Sequence, residues 1–442
     1  MESEESKNGS YDAVIVGGGI TGAAVFYMLS RYTDLKRILL LEKYSELAHV
    51  NSHFQNNSQT LHFGDTETNY PREKAEKVKA ASEMVRRYVD KHDQNGNLFN
   101  KTYRMALAVG EEEVEELSRR YDDIKDLYPE LKKIGRKEIG EVEPIIVKER
   151  PGEEKLLALL SPKGYAVNYH NLSKSLAEEA KRSNPQSELK LGVKVMKITK
   201  KPEGYELETS AEKYLARFVV FAAGAHSLIF AQSMGYGQEL GILPVAGSFY
   251  NGYNLLHGKV YTMQIKKLPF AAIHGDPNVH DPCQTRFGPT AKVVPVLERH
   301  NYSTTGDFLK TSAFTWDGIW SLIKIMSDPI IFKFIGKNLL YDLPYFGKRI
   351  FMKNIQKIIP SIKLNQFEYA PYVGGLRPQV VNTEKKKMEM GEVKILGERV
   401  IFDITPSPGA SVCLGNAKED MEIVAAALGA EIYKDKLEEE LL

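Results

Sequence analysis

The stretch DAVIVGGGITGAAVFYMLSRY, residues 12–32, decides the fold. Asp12 to Val16 is a short, mostly apolar run ending in glycines, which suits a buried parallel strand. From Ile20 to Tyr32 apolar residues recur at helical intervals, so Gly17, Gly19 and Gly22 stand between a strand and a helix in G-x-G-x-x-G spacing. Each glycine has its own reason. Gly17 permits the tight turn, Gly19 lets the backbone approach a pyrophosphate, and Gly22 lets the helix pack close to the strand, with the helix N-terminus facing the anion. A second strand, RILLLEK, carries Glu42 at its end, 20 residues beyond Gly22, where a carboxylate accepts hydrogen bonds from a ribose diol. The order of strand, glycines, helix, strand and acid predicts a dinucleotide-binding α/β unit. No second G-x-G-x-x-G occurs, so one dinucleotide is expected and electrons leave by another route.

At 442 residues the chain is long enough for two or three domains. A net charge of +1 provides no global field for nucleic acid, and none is expected as a partner. The two cysteines, Cys283 and Cys413, form no C-x-x-C or His/Cys cluster, which argues against structural zinc, any other metal site and a disulfide framework. The opening MESEESKNGS is acidic and polar and lacks the pattern of a signal peptide, so a frayed tail and a cytoplasmic location are expected. No run of about 18 apolar residues predicts a membrane span, which leaves peripheral contact open.

After Glu42 a polar stretch rich in Asn, Ser and His runs to about residue 73, too long for a plain connection. Residues 73–93 and 111–128 read as charged amphipathic helices, with Glu111 to Glu116 a solvated face. A hairpin is expected around Pro202 to Gly204, then a buried strand ending in Ala222-Ala223-Gly224. The architecture expected is interleaved: residues 1–75, 151–240 and 365–435 form the nucleotide domain, and 76–150 and 241–364 an inserted α+β substrate domain. Within the latter, residues 315–360 read as helical, with seven Lys or Arg against three Asp. Its apolar residues Ile319, Trp320, Ile323, Ile325, Ile331, Phe332, Phe334 and Ile335 suit either a membrane surface or the segment's own core.

Four clusters could carry chemistry. In NNSQTLHFG, Asn57, Ser58 and His62 could meet a ring system or its ribityl chain, or simply hold a surface loop by Asx turns. In AAIHGDPNVHDPCQTRFG, His274 and Arg286 suit 2-hydroxy-acid oxidation, a base for the hydroxyl proton beside a guanidinium for a carboxylate. A satisfied core or surface histidine is the other reading of His274, and Asp276 offers Arg286 a structural partner with no substrate role. In YVGGLRPQ, Arg377 follows a glycine pair on a loop suited to an anionic group. In PSPGASVCLGNA, Gly409, Ala410 and Ser411 are expected at a helix start, where N–H groups face partial negative charge.

Together these residues resemble the flavoprotein superfamily of D-amino-acid oxidase, glycerol-3-phosphate dehydrogenase and L-2-hydroxyglutarate dehydrogenase. Within it, NNSQTLHFGDTETNY, AQSMGYGQELGILPVAGSFY, GKVYTMQIKKLPFAAIHGDP and FDITPSPGASVCL resemble the short bacterial type of malate:quinone oxidoreductase, over nearly the whole chain. The resemblance implies an α/β fold with a Rossmann-like FAD-binding domain of the glutathione-reductase and D-amino-acid-oxidase type. It also implies oxidation of (S)-malate to oxaloacetate, and a membrane quinone as acceptor at the inner face of the cytoplasmic membrane. Carried over by motif, Gly17, Gly19, Gly22 and Glu42 hold the ADP half of FAD. Asn57, Ser58, Gly224, Gly409, Ala410 and Ser411 approach the cofactor, and His274, Arg286 and Arg377 face substrate, with His62 the next candidate base. The loop VNSHFQN lacks the glycines common in the superfamily. Two other readings stay open: a flavin enzyme for another 2-hydroxy acid, such as L-2-hydroxyglutarate, or an amino acid; and a non-catalytic flavin-binding partner protein.

Overall fold

Strand Tyr11–Val16 lies inside a sheet, flanked in parallel by Ile38–Leu41 and Lys213–Phe221. The computed structural model describes residues 10–264, 273–281, 283–312, 318, 320, 321, 323, 324, 327–341, 343, 346–389, 391–406 and 408–442. Both inner strands are buried on both faces, which is why they read as continuous apolar runs rather than as alternation. Strand Val400–Ile404 extends the parallel set beside Lys213–Phe221, and Glu188–Lys190 closes the other side. A hairpin of Val195–Lys201 and Gly204–Thr209 packs off Lys213–Phe221, as the Pro202 to Gly204 turn predicts.

Helix Ile20–Tyr32 covers one face of this sheet and is buried along almost its whole length, because helices Tyr169–Ser183 and Cys413–Leu428 pack on it. Each large apolar side chain withdrawn from water here contributes about 1.5–3 kcal/mol. Helix Arg72–His92 joins the same layer: Met84, Val85, Tyr88 and Val89 belong to this core, and the helix packs on Cys413–Leu428. The sequence-based division assigns most of that helix, within residues 76–150, to the substrate domain. The apolar stripe of the helix is real, but a stripe does not name its partner.

The second unit holds an eight-stranded mixed sheet and a four-stranded antiparallel sheet. Leu156–Val167 pairs with Phe99–Val109 in the larger sheet, and Phe367–Ala370 pairs there with Phe249–Tyr253. Leu376–Asn382 pairs with Leu240–Ala246 in the smaller one. Chain position assigns Leu156–Val167, Phe367–Ala370 and Leu376–Asn382 to the nucleotide part; strand pairing puts them in the other unit. Among the described residues no helix is long and apolar enough to cross a membrane.

In the expected membrane-facing segment, Ile335 is buried, and Ile331 and Phe334 pack against a cluster of Leu243, Val245, Ala291 and Val381. They cover the protein's own sheet and are not free for an interface. Trp320, Ile323 and Phe332 are exposed, while Ile319 and Ile325 lie outside the described residues.

Candidate active site

A cleft of about 440 Å³ opens where the parallel strands end and the smaller sheet begins. Ligands of open α/β sheets bind at the carboxyl ends of the strands, and here Val16, Leu41 and Ala222 line the cavity. The glycine turn divides into two kinds of requirement. Gly17 has φ +110°, and a Cβ on it would stand 2.5 Å from the Ala222 carbonyl oxygen; on Gly22 it would stand 1.9 Å from that of Gly17. Both are demanded by the protein's own packing. A Cβ on Gly19 would meet only Ser52 Oγ, at 3.4 Å, so this lining position is left open for what enters the cleft.

Glu42 also lines the cleft. Its Oε2 accepts from the Gly18 N–H at 2.6 Å and its Oε1 from the Tyr44 N–H at 2.8 Å. Burial pushes its pKa up, against those two donors. Each oxygen keeps a lone pair for a ribose hydroxyl. The open position at Gly19, the helix start at Ile20 and the Glu42 carboxylate fit the ADP half of FAD.

The polar stretch after Glu42 folds into a further part of the wall. Asn57 and Ser58 line it, as does Thr60. The Asn57 side chain shapes its own loop: Nδ2 donates to Asn51 O and His53 O, and Oδ1 accepts from the Gln59 N–H. Gly374 and Gly375 let two backbones meet, since Cβ atoms there would lie 2.1 Å from the carbonyl oxygens of Gly247 and Asn56 respectively. Leu376 N–H donates to Asn51 Oδ1 at 3.1 Å, tying this loop to the glycine pair. Gly224, with φ +59°, lines the cleft beyond the central strand.

Gly409, Ala410 and Ser411 line the cleft too, but in a turn that precedes helix Cys413–Leu428, not in its first residues. Pro406 and Pro408 carbonyls accept from the Gly409 and Ser411 N–H groups, which holds that turn. The Ser411 hydroxyl accepts from the His62 N–H at 2.9 Å and donates to Thr60 O at 3.1 Å, so it orders the neighbouring wall.

His62 faces the cleft, with Nδ1 2.5 Å from Glu67 Oε1. Burial alone would push Glu67 up, yet His62, Arg104 and the Gly64 N–H hold it down at about 2. An ionised Glu67 accepts the Nδ1 proton and leaves Nε2 as the nitrogen that can take another. Arg377 lines the same cleft, opposite Val245 in the strand pairing. Burial lowers its pKa to about 10, with Tyr70 opposing, so it stays cationic at neutral pH.

His274 and Arg286 are not among the cleft-lining residues. Both are buried behind it, at the two carboxylate oxygens of Asp276: His274 Nδ1 lies 2.5 Å from Oδ1, and Arg286 Nη2 donates to Oδ2 at 2.7 Å. Phe249, which does line the cleft, has the Arg286 guanidinium 5.3 Å from its ring and the His274 ring at 6.2 Å. The expectation that these two face substrate is not matched by the lining of this cleft. A His and an Arg near each other in sequence met at an intervening carboxylate instead of at a ligand. Sequence reading missed Glu67 and Lys259, although Glu67 follows His62 by five positions in one polar stretch.

The fold and the cleft define the class: an FAD-dependent oxidoreductase of the D-amino-acid-oxidase type. In fold the chain is similar to glycine oxidase from Geobacillus kaustophilus (TM-score 0.65, 18% identity, 94% of this chain and 95% of that one). It is equally similar to an L-α-glycerophosphate oxidase from Mycoplasma pneumoniae with FAD bound (TM-score 0.65, 18% identity, 96% of each chain). The chain belongs to the malate:quinone oxidoreductase family, whose model matches residues 9–441. The malate:quinone oxidoreductase of Helicobacter pylori is 43% identical over 98% of this chain and 99% of its own length.

Proposed function

We propose that the cleft oxidises (S)-malate with His62 as the base for the C2 hydroxyl, Glu67 as its orienting carboxylate and Arg377 as the carboxylate anchor. Family membership makes the overall reaction FAD-dependent oxidation of malate to oxaloacetate, with quinone as electron acceptor. FAD, when bound, supplies the two-electron acceptor for the C2 hydride and passes the electrons on to quinone.

The observation that carries the residue assignment is that His62 and Arg377 line one cleft with the dinucleotide turn, whereas His274 and Arg286 do not. Arg377 presents a planar fork that matches a carboxylate, in a half-buried setting where the pairing is weakly screened. His62 Nε2 takes the hydroxyl proton as the C2–H bond breaks, and Glu67 stabilises the imidazolium that results. Anaerobic mixing with (S)-malate, (R)-malate and 2-hydroxyglutarate tests the substrate. Loss of the flavin band with (S)-malate alone supports it, and loss only with another acid moves the substrate.

The quinone half-reaction asks for a route to a lipid-soluble partner. We propose a peripheral membrane face built on the helices at Pro329–Leu340 and Phe346–Gln356. Phe332 and Phe346 are 66% and 64% exposed, and Trp320, Ile323, Leu339 and Leu343 are also exposed. Lys333, Lys337 and Lys348 lie on the same helices. Apolar side chains beside cations suit the boundary of an anionic bilayer. Pelleting with anionic vesicles at low and high salt tests it.

A further inference from the structure

Behind the cleft wall lies a buried charged cluster that the reaction as described leaves without a task. Lys259, at the start of strand Lys259–Thr262, is fully buried. Its ammonium donates to Ser58 O at 3.0 Å and to Thr60 Oγ1 at 3.1 Å, and stands 3.6 Å from Asp276 Oδ2. Arg286 donates to Asn57 O at 3.3 Å, to Ser58 O at 3.2 Å and to Asp276 at 2.7 Å. Two cations therefore grip three acceptors of one short segment, the Asn57 and Ser58 carbonyls and the Thr60 hydroxyl, and that segment lines the cleft with Asn57, Ser58 and Thr60.

The arrangement is costly. Charges taken out of water are expensive even when paired, and an apolar cluster of the same shape holds a fold as well or better. Burial drives the Lys259 ammonium down to about 8, with Asp276 opposing and Arg286 adding to the drop. The unfolded chain therefore binds more protons than the folded one between about 8 and 10.5, so this lysine makes the fold more stable as pH rises through that window. At neutral pH the charge is held against the interest of stability. Asp276 is kept well below the carboxylate range by Lys259, Arg286 and His274, against burial. Burial lowers His274 and leaves it neutral. The cluster then carries one net positive charge directly behind the wall.

We propose that Lys259 is a positioning residue for this reaction: with Arg286 it clamps the Asn57–Thr60 wall of the cleft and sets a positive charge behind it. A fixed cation there favours the electron-rich state of whatever the wall touches, in a site shielded from water. The proposal rests on the FAD-dependent malate reading, and concerns only how this chain tunes it. The groups that face Lys259 are Asp276, Arg286, Arg104 and the carbonyl and hydroxyl of the 58–60 segment.

The test uses holoenzyme of the wild type, Lys259→Met and Lys259→Gln, with FAD content, melting temperature and flavin midpoint potential measured from pH 7 to 9. The expected result is a lower midpoint potential in both variants, with the melting temperature kept. Lys259→Gln, which can still donate to Ser58 O, retains more FAD than Lys259→Met. Wild-type potential should also show an inflection near pH 8 that both variants lack. Unchanged potentials and FAD content in a folded Lys259→Gln overturn the proposal, and so does a variant that loses melting temperature and potential in the same proportion. Wild-type flavin that (S)-malate fails to reduce overturns the functional reading instead, whatever the variants do.

Discussion

His62 and Glu67 form a closed unit: Nδ1 of the imidazole stands 2.5 Å from Glu67 Oε1, and the other carboxylate oxygen accepts from the Gly64 N–H at 2.8 Å. His62 of this dyad lines the same cleft as Arg377 and the dinucleotide turn.

Replacing His62 by Asn is expected to lower kcat by about 10²–10⁴-fold, the range for a lost general base, while FAD stays bound. Glu67→Gln should cost less, because Nε2 is still present but its tautomer is no longer fixed. Steady-state kinetics with absorbance at the flavin band checks both; equal turnover in His62→Asn and wild type removes His62 from the chemistry.

Glu67 also ties stability to pH. Its pKa falls from 4.5 unfolded to about 2 folded, so the stability it contributes is complete above about 4.5 and disappears as pH drops through about 2. Thermal melts from pH 7 down to 2 should show a steeper acid loss in wild type than in Glu67→Gln. Parallel curves would mean that the ionised carboxylate is not held as described.

Arg377→Met should raise the KM for malate roughly 30-fold or more, since truncating one partner of a buried charge pair costs about 2–5 kcal/mol. With the wild-type guanidinium lowered to about 10, malate binding should weaken as pH rises through that value. A KM that stays flat to pH 11 in wild type, or that is unchanged in the variant, assigns the carboxylate to another residue.

The glycines separate by what their Cβ would meet. Gly22→Ala forces a contact at 1.9 Å and should yield little folded protein. Gly19→Ala finds only Ser52 Oγ at 3.4 Å, so the apoprotein should melt near the wild-type temperature while FAD affinity falls. Calorimetry of both apoproteins with FAD titration distinguishes the two; a Gly19→Ala protein with wild-type FAD affinity would place the pyrophosphate elsewhere.

The proposed membrane face makes a separate prediction. Phe332→Asp with Phe346→Asp should abolish pelleting with anionic vesicles and leave malate-dependent flavin reduction in solution intact, because both side chains are exposed and neither lines the cleft. Undiminished pelleting of the double variant would place the lipid contact on another surface.

Local chemistry was the part written openly in the chain. The glycine turn and Glu42 are legible because one strand, one turn and one helix are contiguous, and their geometry needs no distant partner. Leu156–Val167 is equally plain as a strand, but its sequence does not say which of two sheets it enters; its partner, Phe99–Val109, lies on the far side of a helical excursion. The same limit applies to the site. His274, Asp276 and Arg286 are close in sequence and do meet, yet whether they meet at a ligand or behind a wall depends on Phe249 and the Asn57–Thr60 loop. Lys259 heads a strand where a lysine ordinarily points to water, and only tertiary packing reveals it as buried.

The most direct measurement is the anaerobic rate of flavin bleaching by (S)-malate in the wild type, His62→Asn and His274→Asn. The account predicts fast bleaching in wild type, a loss of about 10²–10⁴-fold in His62→Asn and a much smaller loss in His274→Asn, whose ring lies behind the cleft wall. Wild-type bleaching in His62→Asn together with its collapse in His274→Asn would contradict the account and return the base to the buried cluster.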